Sequence, residues 1–278
     1  MILAFLVALT VGADPRPDAS VYSGIDNQLR VRVPRLDTQI SVDGALDEPA
    51  WREAVTLTGF SQYSPVDSRP ADNRTEVLVW YSPTAIHFGI RAYAPAGTVH
   101  ATLANRDKIE SDDNVQIFIS TFNDGRQAVM FGVNPFGIQS DGAMAEGSTL
   151  ARLPGTNPVS QQAEREPPDL SPDYVFQSKG RLTDYGYEAE IRIPFKSLRY
   201  QAKSTQDWGI QVVRRVQRSG EDDTWTPATR AGSSFLMHGC SRISRLQARS
   251  SSPVTAARWP IPTPSDRNIC TASATAFS

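Results

Sequence analysis

Acidic residues crowd one short stretch of this chain. Asp107, Glu110, Asp112 and Asp113 follow directly on Arg106. Carboxylates at that density have three uses. Two of them set across a cleft can hydrolyse an O-glycosyl bond, one as acid and one as nucleophile or base. Several, joined by a remote carboxylate, can offer hard oxygen ligands to a structural calcium ion. Otherwise they form turns and sit in solvent. The chain holds 30 acidic residues among 278, so a pair of carboxylates is weak evidence for hydrolysis. It also lacks the Asp-x-Asp-x-Asp-Gly spacing of a one-loop calcium site. The three histidines, His87, His100 and His238, stand at no metal-ligand spacing. No Gly-x-Ser-x-Gly elbow and no glycine-rich phosphate loop is present. His87 reads as a solvent-face residue on a strand.

Sugar binding needs different parts. An aromatic ring stacks on the apolar face of a pyranose, while Arg, Asn, Gln or carboxylates bind its hydroxyls. Five tryptophans are available. Trp51 and Trp208 read as core, and Trp259 lies in an irregular tail. Trp80 falls on the strand face opposite Val77, Val79 and Tyr81, which would expose it. Trp225 follows the acidic turn Ser219-Gly220-Glu221-Asp222-Asp223 and is the best stacking platform. The candidate binding set is therefore Trp225, Trp80, Arg106, Asp107, Asp113 and Arg214. The arginines have an alternative use as internal ion-pair partners that lock loops, for instance Arg106 with Asp113.

The elements that would carry these groups are strands. Ile86, Phe88, Ile90 and Ala92 share one face, with His87, Arg91 and Tyr93 on the other. Val115, Ile117 and Ile119 alternate with Gln116, Phe118 and Ser120. Ala189, Ile191 and Ile193 alternate with Glu188, Glu190 and Arg192. Period two with one apolar face marks half-buried strands. Turn signals such as Asn123-Asp124-Gly125 and Asp184-Tyr185-Gly186 separate them. Long helical periodicity is absent. The pattern predicts an all-β, antiparallel two-sheet sandwich, immunoglobulin- or jelly-roll-like, with a short helix near 47–54. The net charge of −2 and pI ≈ 6.0 give no basic excess for nucleic acid.

The ends differ from the middle. Residues 1–13 have an apolar run, Ile2 to Val11, then Val11-Gly12-Ala13, the pattern of a signal peptide. Export to the periplasm or the outer membrane is expected. Residues 14–33 form a lead, 34–240 the sandwich, and 241–278 a Ser/Thr/Ala/Pro/Arg-rich tail with no strand period, expected to be unpacked or frameshifted. Pro154 to Pro172 reads as a long surface loop. Cys240 and Cys270 are assigned no disulfide.

One stretch says more than the rest. Val42-Asp43-Gly44-Ala45-Leu46-Asp47-Glu48-Pro49-Ala50-Trp51 reads as a turn and a helix start. Gly44 supplies a left-handed turn residue, and Asp47 could cap the helix that Pro49 begins. This stretch resembles the (I/V)DG-x-(L/I)DE-x-x-W opening of family 9-like carbohydrate-binding modules, in the version found at the N-terminus of bacterial DUF5916 proteins. Further matches follow in order: Arg69–Tyr81, Arg106–Asp141, Gly186–Tyr200 and Trp208–Trp225. The resemblance implies an exported, non-catalytic sugar-binding sandwich, acting as a monomer on a glycan in polysaccharide use. It departs from the sugar binders in two places. Neither Lys108–Asp113 nor Ala231–Ser233 supplies the aromatics that clamp the sugar from two sides. The alternatives are a periplasmic docking or plug module for an outer-membrane β-barrel-type region, and a glycoside hydrolase.

Overall fold

The computed structural model describes residues 20–145, 167–201, 203, 205–229, 236 and 242–244. Within them, alternating side chains build two sheets. The first contains β1 (Val21–Ser23), β3 (Val55–Thr58), β5 (Thr75–Tyr81), β6 (Ala85–Tyr93), β11 (Gly186–Pro194) and β10 (Gln177–Thr183), in that spatial order. The second runs β2 (Arg30–Arg32), β14 (Arg242–Ser244), β12 (Asp207–Val216), β7 (Asn114–Ser120), β8 (Gln127–Val133) and β9 (Gln139–Ala145). On its flank β13 (Glu221–Thr224) pairs with β12 and with β4 (Ser61–Ser64). Pairing is antiparallel except for β1 with β3 and β14 with β2.

The core lies between the sheets. Val77 and Val79 of β5, Phe88 and Ile90 of β6, and Ile191 and Ile193 of β11 meet Ile117 of β7, Phe131 of β8 and Val212 of β12. The inward faces are those the period-two reading assigns. The outward face of the first sheet is also covered. The segment from Pro34 to Leu46 and the helix α1 (Pro49–Glu53) lie on it, seating Leu46, Ala50, Trp51 and Ala54 against Leu78 and Trp80. Gly89 permits that seating, because a Cβ there would stand 2.9 Å from the Trp51 ring.

This third layer corrects two expectations. Trp80 does point away from the sandwich core, yet it is fully buried and meets Trp51 edge-on at 6.0 Å between ring centroids. His87, expected in solvent, is buried and stacks on Trp80 at 3.8 Å. Burial first, and then the charge of Arg192, lower its pKa to about 3, so the ring is neutral. The helix start differs as well. Glu48, not Asp47, is the residue before the first turn, and no side chain caps it.

The tail also departs from expectation. Arg242–Ser244 pair with β12 and β2, so the sheet continues past residue 240. The expected signal peptide, most of the 154–172 loop, both cysteines and the remaining tail lie outside the described residues.

Candidate functional site

The proposed stacking platform is not at the surface. Trp225 is fully buried in the core between the sheets, and its backbone N–H donates to Val212 O at 2.9 Å. Ser219-Gly220 does turn, but the acidic residues after it form a strand, β13, whose pairing with β12 and β4 carries Trp225 inward. Arg214 is interior too. Its Nη1 donates to Arg74 O at 2.9 Å and Thr75 Oγ1 at 3.0 Å, and its Nη2 to Tyr93 O at 2.7 Å. It thus ties the second sheet to the first. Its cross-strand partner Asp223 is buried, with both carboxylate oxygens unbonded among the described residues. Burial raises the Asp223 pKa to about 7. Arg214 opposes that rise, while Glu221, Asp222 and Asp72 add to it.

The acidic stretch disperses. Asp113 accepts from His100 N at 3.1 Å and Gln217 N at 2.6 Å, not from Arg106. Asp112 accepts from Thr102 Oγ1 at 3.0 Å and Asn134 Nδ2 at 2.8 Å. Glu110 is exposed. Asp112 and Asp113 hold loops through these bonds.

Arg106 and Asp107 do meet a site. Asp107 takes a left-handed backbone, φ 63°, which turns the chain back onto β9. There its side chain lies beside Asp141 and Asp173, with one oxygen of each within 4.8 Å of the others. Arg106 sits among the three. It pairs with Asp141, approaches Asp173 at 3.6 Å and Asp107 at 3.9 Å, and donates to Gln139 Oε1 at 3.0 Å and Tyr174 O at 2.8 Å. Its guanidinium lies over the Phe176 ring, 5.7 Å from the centroid. Asp141 also accepts from the Tyr174 amide. Burial raises the Asp141 pKa, against the pull of that amide and of Arg106. The three carboxylates are the groups here able to ligate a divalent cation. Arg106 already balances part of their charge.

Gln139 and Phe176 connect this cluster to a groove of ≈ 550 Å³. Ile40, Ser41 and Val42 form one side, and Gln139 with Phe176, Gln177, Ser178 and Lys179 the rest. Hydroxyl, amide and ammonium groups supply its polar lining, and no carboxylate is among the described residues that line it.

Sequence reasoning missed Asp141, Asp173, Gln139 and the groove itself. Asp141 closes the matched block Arg106–Asp141. Asp173-Tyr174 follows directly on the stretch read as a long surface loop, Pro154 to Pro172. Those two features were the available signal. Nothing local in the sequence shows that they meet Arg106.

The fold defines a two-sheet β-sandwich with a third, partial layer on one face. No protein-family model matches the chain, and no curated protein does. A family 9 carbohydrate-binding module from Caldicellulosiruptor kristjanssonii, solved with cellotriose, is similar to it at 17% identity and a TM-score of 0.49, over 84% of this chain and 100% of that one. A family 9 module from the same organism, solved with glucose, is similar at 15% identity and a TM-score of 0.47, over 81% and 98%.

Proposed function

We propose that this protein is a non-catalytic glycan-binding module and that the groove beside Arg106 receives the sugar. One observation carries the reading: the groove is lined by Ser41, Gln139, Gln177, Ser178 and Lys179, neutral and cationic groups suited to a polyhydroxylated ligand. The five ordered motif blocks support it from the sequence side. Arg106 would act behind the groove, holding Gln139 through its Oε1. No exposed tryptophan is available for stacking among the described residues, so binding rests on few contacts and should be weak, near millimolar. The module would act after export, a reading supported by the apolar run Ile2 to Val11. A structural calcium ion at Asp107, Asp141 and Asp173 would fit the same reading.

Isothermal titration of the full chain against a panel of neutral oligosaccharides tests it. A Gln139→Ala, Lys179→Ala double variant should lose about tenfold in affinity while melting at the wild-type temperature. If the folded wild-type protein binds no member of the panel, the docking-module alternative takes precedence.

A further inference from the structure

We propose that Glu190 is the positioning residue of the groove: its carboxylate latches the segment that forms one groove wall, so the groove is shaped only while the latch is closed. This rests on the glycan-binding reading for its functional consequence, but not for its geometry.

Glu190 stands on the outward face of β11, under the third layer. Its Oε2 accepts two backbone amides, Asp43 N and Gly44 N, each at 2.7 Å. Its Oε1 accepts from Trp51 Nε1 at 3.2 Å, and Glu48 Oε2 accepts from the same indole N–H at 3.0 Å. The turn is shaped to reach it. Asp43 Oδ1 accepts from Ala45 N at 2.9 Å, and Gly44 has φ +93°, with a Cβ there only 3.1 Å from Gly180 of β10. The residues immediately before this turn are Ile40, Ser41 and Val42, one side of the groove. The residue it presses upon, Gly180, follows directly on Ser178 and Lys179, on the other side. One buried carboxylate thus holds both the signature turn and the spacing of the groove walls.

The latch is built to sense charge. From the turn and helix, Asp43 and Glu48 face Glu190 with like charge. From β10, Lys179 is its cross-strand partner. From its own strand and face come Glu188 and Arg192, and from β6 come Arg91 and the neutral His87. Burial raises the Glu190 pKa to about 7. The Gly44 and Asp43 amides oppose that rise, and the charges of Glu48 and Asp43 add to it. An open latch exposes the carboxyl to water, where it titrates near 4.5. The closed state therefore holds a proton that the open state releases. The proton's contribution to closure is whole below about pH 4.5, declines between there and about pH 7, and is lost above it.

Hydrogen exchange of the full-length protein tests this without any ligand. Protection at Asp43 and Gly44, corrected for intrinsic exchange, should fall as pH rises from about 4.5 to about 7 and level off above that, with the opening constant rising up to about tenfold per pH unit in that interval. Glu190→Gln, neutral at every pH, should keep these amides protected at pH 6 and at 8.5. Glu190→Ala should open them about tenfold or more at both values. Oligosaccharide affinity should follow the same order. Equal protection in wild type and both variants overturns the latch, as does a Glu190→Gln protein that exchanges like Glu190→Ala. The expected exchange pattern without sugar binding by any variant leaves the latch standing and overturns the glycan reading alone.

Discussion

Two of the arginine–carboxylate groupings among the described residues stand in opposite surroundings, and those surroundings give them different work. In the interior, Arg214 and Asp223 face each other across β12 and β13, with Gln62 of β4 next in the row. At the rim, Arg106 meets Asp107, Asp141 and Asp173 beside a groove. The residue types are alike. Arg214 is 1% exposed and donates to three oxygens of the opposite sheet. The Arg106 side chain is 38% exposed, and the groups around it range from 1% for Asp141 to 82% for Asp173. A buried guanidinium without partners is very costly, so the interior row is committed to holding the sheets together. A rim cluster keeps solvent access and can exchange partners, which a binding site requires. Motif chemistry alone does not separate the two cases; burial does.

The comparison is most sharply tested in the interior. Trp225→Ala should cost about 3–5 kcal/mol of stability, the usual loss for a large buried ring. A denaturant midpoint that hardly moves would return Trp225 to the list of surface platforms. Arg214→Met removes the link between the sheets and leaves the Asp223 charge buried. The expected cost is about 3 kcal/mol at pH 8. It should shrink at pH 5, where Asp223 carries its proton.

That proton has its own signature. In the fold Asp223 titrates near 7, against an ordinary 3.8. The folded state then binds more protons than the unfolded state between those values. The stabilising contribution is whole below about pH 4 and is lost as pH rises through 7. Urea titrations at pH 5 and 8.5 should differ by on the order of 2 kcal/mol, and Asp223→Asn should remove a large share of that difference. Glu190 has the same sign and accounts for part of the remainder.

At the rim the effects should be smaller. Arg106→Ala should lower stability by about 1 kcal/mol, because its strongest bond, to Asp141, is only partly shielded from water. It should lower oligosaccharide affinity at the same time, which Arg214→Met should do only through loss of folded protein. Asp173→Asn should change the melting midpoint by no more than about 0.5 kcal/mol equivalent, as exposed pairs do. A larger change there would show that the rim cluster, like the interior row, is structural.

The sequence by itself determined the strands and their inward faces. Ile86, Phe88, Ile90 and Ala92, or Ala189, Ile191 and Ile193, can be read because period two is a property of neighbours on one strand. It also determined Trp51 as core and Gly44 as a left-handed turn, both local consequences of one motif. Only the tertiary structure decided what covers the outward faces. Trp80 and His87 point outward as their positions require, yet the distant segment from Pro34 to Ala54 covers that face. Trp225 turned inward because β13 pairs with β4, far away in the chain. Asp113 went to loop amides, and Arg106 found Asp141 and Asp173. Glu190 looked like one more polar residue in an alternating strand until the turn at Asp43-Gly44 was seen resting on it. Periodicity tells which way a side chain points. What it meets there depends on contacts between distant segments, and no local pattern encodes those.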